Sequence, residues 1–172
     1  MMGLTMAEAL KRRLSLAEAV DAGRFLFEIN SAEEGVLALM RQAGLACDAP
    51  EERARLLEEW RAYVHASVLA AFMECAPNAV WLEYERATQP MLRRLGYGKE
   101  QGEAFVDGPL KAYAELLFSG RAKECPALFF LRAAGKQMRD MPPRCAAVLA
   151  GAMAMLLSAL IDRLEQYDYA LE

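Results

Sequence analysis

The side chains of this chain best suited to chemistry are one histidine, four cysteines and a spaced trio of cations. His65 is the only imidazole. A general base needs a nucleophile and an orienting group within hydrogen-bond reach, and the sequence places neither beside it. His65 lies about 100° around a helix from the Trp60, Val64 and Val68 face, at the border of core and solvent, and is expected to be structural. Cys47, Cys75, Cys125 and Cys145 contain no C-x-x-C pair and make no zinc spacing with a single histidine. A di-iron site of the helical-bundle type would require two Glu-x-x-His motifs. Glu83 and Glu85 stand two apart on a helix and diverge. No metal, cofactor or catalytic residue is therefore expected, and the reading leans away from an enzyme.

Two weaker signals remain. Cys47 falls in a turn between Gly44 and Pro50 and is the thiol expected to be exposed, although Asp48 and Glu51 oppose a thiolate there. Cys75 and Cys145 fall in apolar runs and read as small core residues. Gly96-Tyr-Gly98-Lys-Glu-Gln-Gly102 is rich in glycine but lacks the G-x-G-x-x-G spacing and a preceding strand, so it reads as a turn between helices.

Arg132, Lys136 and Arg139 are spaced i, i+4, i+7 and would line one face of a helix, a candidate surface for an anionic partner. They belong to a locally basic stretch, Arg121 to Arg144. Residues 1–86 carry 9 Lys/Arg against 14 Asp/Glu, and residues 87–172 carry 11 against 10. The formal net charge of the 172 residues is −4, so nothing draws the whole chain toward nucleic acid, and nucleic acid is not an expected partner. No secretory signal is visible at the N-terminus, which makes a reduced cytoplasmic setting the default expectation.

The elements that must position these groups read as helices throughout. Ala, Leu, Glu and Arg dominate, while isoleucine and threonine each occur only twice. Thr5-x-x-Glu8, Ser15-x-x-Glu18 and Ser31-x-x-Glu34 fit the capping box, in which a hydroxyl and a carboxylate satisfy each other's backbone N–H groups. They predict helices over about 5–13, 15–29 and 31–43, the last stopped by Gly44. Pro50, followed by Glu51 and Glu52, starts a helix running to about Cys75. Further helices are predicted over 78–95 with a break at Pro90, over 99–118 interrupted at Asp107-Gly-Pro109, from Pro126 to about Met138, and over 143–168. The expected fold is all-α: one domain spanning 1–172, with seven to eight helices packed around a buried C-terminal helix.

That last helix holds the longest uncharged run, Cys145 to Ile161. Seventeen residues cover about 25 Å, short of a membrane core, so a membrane partner is not expected. Leu149, Met153, Leu156, Leu160 and Leu164 form a ridge of large side chains. Ala146, Ala150, Ala154 and Ser158 form a small-residue face that permits close helix approach. Either another helix of this chain or the same helix of a second copy could supply that approach.

The segment Met141-Pro-Pro-Arg-Cys-Ala-Ala-Val-Leu-Ala-Gly-Ala resembles the effector-binding half of TetR-type regulators, and Arg41-Gln-Ala-Gly-Leu45 is similar to the turn of their DNA-binding motif. The Gly-Leu-Tyr and Phe-x-x-Lys pieces of that motif are absent. The resemblance implies a helical domain that binds a small apolar ligand. Trp60, Phe72, Trp81 and Tyr84, among ten methionines, are the side chains that would line such a pocket. The first expectation, though, is a non-enzymatic interaction, adaptor or chaperone-like protein that works through helical faces. A protein partner or self-association is expected, with the apolar ligand as the alternative.

Overall fold

In a computed structural model, which describes residues 11–170, the Ser15 hydroxyl accepts from the Glu18 N–H at 3.2 Å and Glu18 Oε1 accepts from the Ser15 N–H at 3.1 Å. This box opens α1, Leu16–Asn30. The Thr5 box lies outside the described residues. The helix expected over 5–13 does not extend to its last residues: Arg12–Leu14 is a short strand, β1. It pairs in parallel with β2, Tyr167–Tyr169, with Arg12 opposite Tyr167 and Leu14 opposite Tyr169. Leu14 points inward and is buried, and the chain's own tail supplies the hydrogen-bonding edge, so tertiary pairing overrides local helix preference.

The Ser31 box is not formed. Ser31 instead closes α1 with its backbone N–H on Glu28, and its buried hydroxyl finds no partner. The next helix, α2, Glu33–Gln42, has Ala32 at its cap. Gly44 ends it with φ +77°, which lets the Leu45 N–H turn back to the Met40 carbonyl at 2.9 Å. The same turn carries Cys47 into the core, where it is 2% exposed, so the expectation of an exposed thiol is overturned.

Pro50 occupies the first turn of α3, Pro50–Cys75, and Glu52 accepts from the Ala49 N–H at 3.2 Å. The predicted helix over 78–95 is two helices, α4 (Asn78–Arg86) and α5 (Thr88–Arg94). The break falls at Ala87, ahead of Pro90, which sits in the first turn of α5, where its missing N–H leaves no bond unmade. In α6, Lys99–Phe105 continues into Lys111–Phe118 through a π turn, Val106–Leu110. The wider turn accommodates Pro109 without breaking the rod. Helix α7 is Cys125–Ala134, ended by Gly135 at φ +68°, several residues short of the expected Met138. The last helix, α8, is Pro143–Leu164.

The described residues thus form eight helices in one all-α bundle, as expected from composition and periodicity. Its centre is a different helix from the one predicted. Helix α3 packs against α1, α2, α4, α6, α7 and α8, and every residue from Ala62 to Leu69 is buried. Helix α8 lies on the outside of α3 and buries only Cys145, Leu149, Met153, Leu160 and Leu164. The approach of α1 to this centre depends on Gly23: a Cβ there would meet the buried Phe72 ring at 2.5 Å and Tyr84 at 3.0 Å.

Candidate functional site

His65 comes from the stretch of α3 that is enclosed on all sides, so it has no solvent border to occupy. Its Nε2 lies 2.9 Å from Thr88 Oγ1 and its Nδ1 3.0 Å from the Tyr84 hydroxyl, with Phe27 edge-on to the ring at 5.3 Å. Burial lowers its pKa to about 3 and pushes the Tyr84 phenol well up. The imidazole is therefore neutral, donating through one nitrogen and accepting through the other. This is a sealed structural network that joins α3 to α4 and α5.

The cationic trio is dismantled by Gly135. Arg132, on the last turn of α7, turns inward and its Nε donates to Glu59 Oε1 at 2.6 Å; the Tyr113 hydroxyl donates to the same oxygen at 2.9 Å. Lys136 and Arg139 lie past the helix end and are exposed. The three cations therefore do not line one face of a helix. The Glu59–Tyr113–Arg132 cluster was not singled out from the sequence: its members are 54 and 73 residues apart, and Glu59 looks like any other acid on an amphipathic helix. Beside it, Glu58 has its carboxyl raised by partial burial and by the Glu59 charge.

The four aromatic residues proposed for an apolar pocket are built into packing. Trp60 packs tilted against Tyr63 and edge-to-face with Phe129, and donates to the Asn30 carbonyl at 3.1 Å. Phe72 and Tyr84 touch each other in the core and are fully buried. Trp81 is half-buried and donates to Asn78. At Gly98, the N–H is taken by Gln101 Oε1 at 2.9 Å, so this turn's donor is already occupied by the chain itself.

The small-residue face is the feature the fold leaves open. Ala150, Ala154 and Ser158 are exposed and Ala146 is half-buried. Of the large ridge, Leu149, Met153, Leu160 and Leu164 go into the core as the spacing predicts, and Leu156 is half-buried against it. Arg144, Ala147, Gly151, Met155, Ala159 and Asp162 are also exposed, Met155 by 74%. Above Gly151 no atom lies within 4 Å of where a Cβ would stand. Ala150, Ala154, Ser158, Leu157 and Ile161 form one wall of a groove of about 480 Å³, and Ala122, Lys123 and Pro126 form the other. Tyr63 and Met153 lie at its floor, where the Tyr63 hydroxyl donates to the Met153 carbonyl at 2.6 Å and fixes α8 on α3.

At 22 residues α8 spans about 33 Å, longer than the uncharged run alone indicated, and by length and composition it is long and apolar enough to cross a membrane. Among the described residues no group of three or more His, Cys, Asp or Glu is placed to hold a metal ion. No protein-family model, curated protein or solved structure matches this chain. The TetR-type resemblance thus rests on its own short segments.

Proposed function

We propose that this protein is a non-enzymatic interaction module of the adaptor or chaperone-like kind, and that its working surface is the outer face of α8. One observation carries the reading. A 22-residue helix with no charge between Cys145 and Ile161 buries only a single stripe against its own fold, and leaves Ala147, Ala150, Gly151, Ala154 and Met155 to solvent. A contiguous exposed apolar strip on a folded domain marks a docking surface. Small side chains let the backbone of a partner helix come close, and one polarizable methionine adapts to what it meets. The same helix has only Arg144 and Arg163 as cations and no Trp, short of the Lys/Arg-rich polar face and aromatic fringe of a helix that lies on a lipid surface, which favours a protein partner.

An apolar small molecule in the groove beneath Pro126 is the second reading. The groove's volume of about 480 Å³ falls within the range of ligand sites. It is weaker because Trp60, Phe72 and Tyr84 are committed to the core.

The test is a photo-cross-linking amino acid in place of Met155, with a control at exposed Arg86 on α4, expressed in the cells from which the protein comes. Protein adducts specific to position 155 are expected. An absence of protein adducts at position 155, or the same adducts from position 86, would contradict the proposal.

A further inference from the structure

The occupant of the α8 face can be named from the residues on it. This step rests on the reading of α8 as a docking surface. At about 100° per residue, Arg144, Ala147, Gly151, Met155, Ser158 and Asp162 fall within about 80° of one another, directly opposite the buried ridge. All six are exposed. Their spacing of three and four residues is that of a helix–helix seam.

Two features of this stripe are unexplained within one chain. Gly151 sits in the middle of a long helix, where glycine is less favourable than alanine by roughly 1 kcal/mol. Gly23 and Gly102 have a crowding neighbour, Phe72 and Gln89 respectively, that accounts for the missing Cβ; Gly151 has none, as is also true of Gly35 in the first turn of α2. Met155, one turn on, is the most exposed large apolar side chain among the described residues. The stripe therefore carries a knob and a hole with nothing in the fold to fill either. Arg144 and Asp162, one near each end, form no ion pair among the described residues.

We infer that the occupant is a second copy of this chain, with the two α8 helices antiparallel about a two-fold axis beside Met153. Each pair of residues equidistant from Met153 then meets across the seam. Arg144 of one copy faces Asp162 of the other, Ala147 faces Ala159, and Met155 sits over Gly151. Every one of these contacts occurs twice, as a two-fold interface requires. The charge pattern, positive at the start of α8 and negative at its end, is complementary to itself only when reversed. A parallel pair would set Arg144 on Arg144 and Asp162 on Asp162. The antiparallel arrangement also opposes the two helix dipoles.

The test is sedimentation velocity over a concentration series on wild type, Arg144→Asp, Asp162→Arg and the double reversal, with far-UV circular dichroism to confirm the fold. Both side chains are exposed, so folding is expected to be unchanged. A wild-type dimer is expected, weakened about tenfold by each single reversal because two like-charge contacts replace two pairs, and restored in the double variant. A dimer that weakens with either single reversal but is not restored in the double would overturn the antiparallel register. A dimer indifferent to all three variants would overturn the assignment of α8 as the seam. A monomer at every concentration would overturn the second copy as occupant. In that case heterologous adducts at position 155 would leave the docking surface standing with another protein on it. Co-sedimentation of a monomer with phosphatidylcholine vesicles would assign the face to lipid instead. Neither adducts nor vesicle binding would remove both readings.

Discussion

Met155 and Gly151 lie one turn apart on the outward face of α8, the first 74% exposed and the second with no atom within 4 Å of its absent Cβ. A protrusion and a recess side by side on one helix are matched by the same pair running the other way. The rest of the fold is organised so that this helix is held firmly from behind. Its ridge is buried against α3, and Tyr63 anchors its middle through the Met153 carbonyl.

The His65 network makes stability depend on acid. The folded pKa is depressed to about 3 from an unfolded value of 6.5. The stabilisation from holding the ring neutral is therefore complete above pH 6.5 and is lost as pH falls toward 3. Between pH 7 and pH 4.5 this residue should cost on the order of 2–3 kcal/mol. Denaturant unfolding at the two pH values measures it. His65→Gln should be less stable than wild type at pH 7 and should show a correspondingly flatter decline.

Glu59 joins α3 to α6 and α7 through one oxygen that accepts from both Tyr113 and Arg132. Glu59→Ala should destabilise the fold by about 3 kcal/mol, because it leaves a buried phenol and a half-buried guanidinium without their acceptor. Tyr113→Phe should cost about 1 kcal/mol. A thermal or urea melt of each, with the double variant, closes the cycle, and the paired loss should be smaller than the sum.

Gly23→Ala should destabilise by about 1–3 kcal/mol, since the new methyl meets two fully buried rings that have nowhere to move. Gly35, helical and with open space around it, should accept the same change with no loss or a small gain.

The thiols should be slow. Cys47, Cys125 and Cys145 are buried, and Cys75 is half-buried with its S–H toward the Ile161 carbonyl. Burial raises Cys75 to about 11 and Cys125 to about 12. A disulfide-exchange reagent at pH 8 should find little rapid reaction in the native protein and all four thiols after denaturation. Rapid labelling of Cys47 in the native protein would contradict its placement in the core.

Helix identity was readable along most of the chain, because capping, proline position and the three-four spacing of apolar residues are local signals. Ser15, Pro50 and Gly44 act as their positions predict. What was not readable depended on distant neighbours. Ser31 offered a capping box that the corner between α1 and α2 does not use. Gly135 is a local stop inside the helix expected to reach Met138, and the cationic trio requires that helix to continue past it. The C-terminal helix looked like the core because it is apolar all round, yet the centre fell to α3, whose charged first turns disguise the fully enclosed stretch from Ala62 to Leu69. The small face of α8 was visible as a pattern. Only the fold shows that this face stays exposed beside the start of α7, across a groove from Ala122, Lys123 and Pro126, and that Gly151 and Met155 lie next to it.

The most direct measurement is the mass in solution by light scattering of wild type and Gly151→Leu, alongside their melting temperatures. Leucine is a better helix former than glycine by roughly 0.8 kcal/mol, and the position is open, so the monomer fold should gain stability. The account predicts a dimeric wild type and a variant that is monomeric yet at least as resistant to heat at low concentration. A wild type that is monomeric, or a variant that keeps the wild-type dimer mass, would contradict it.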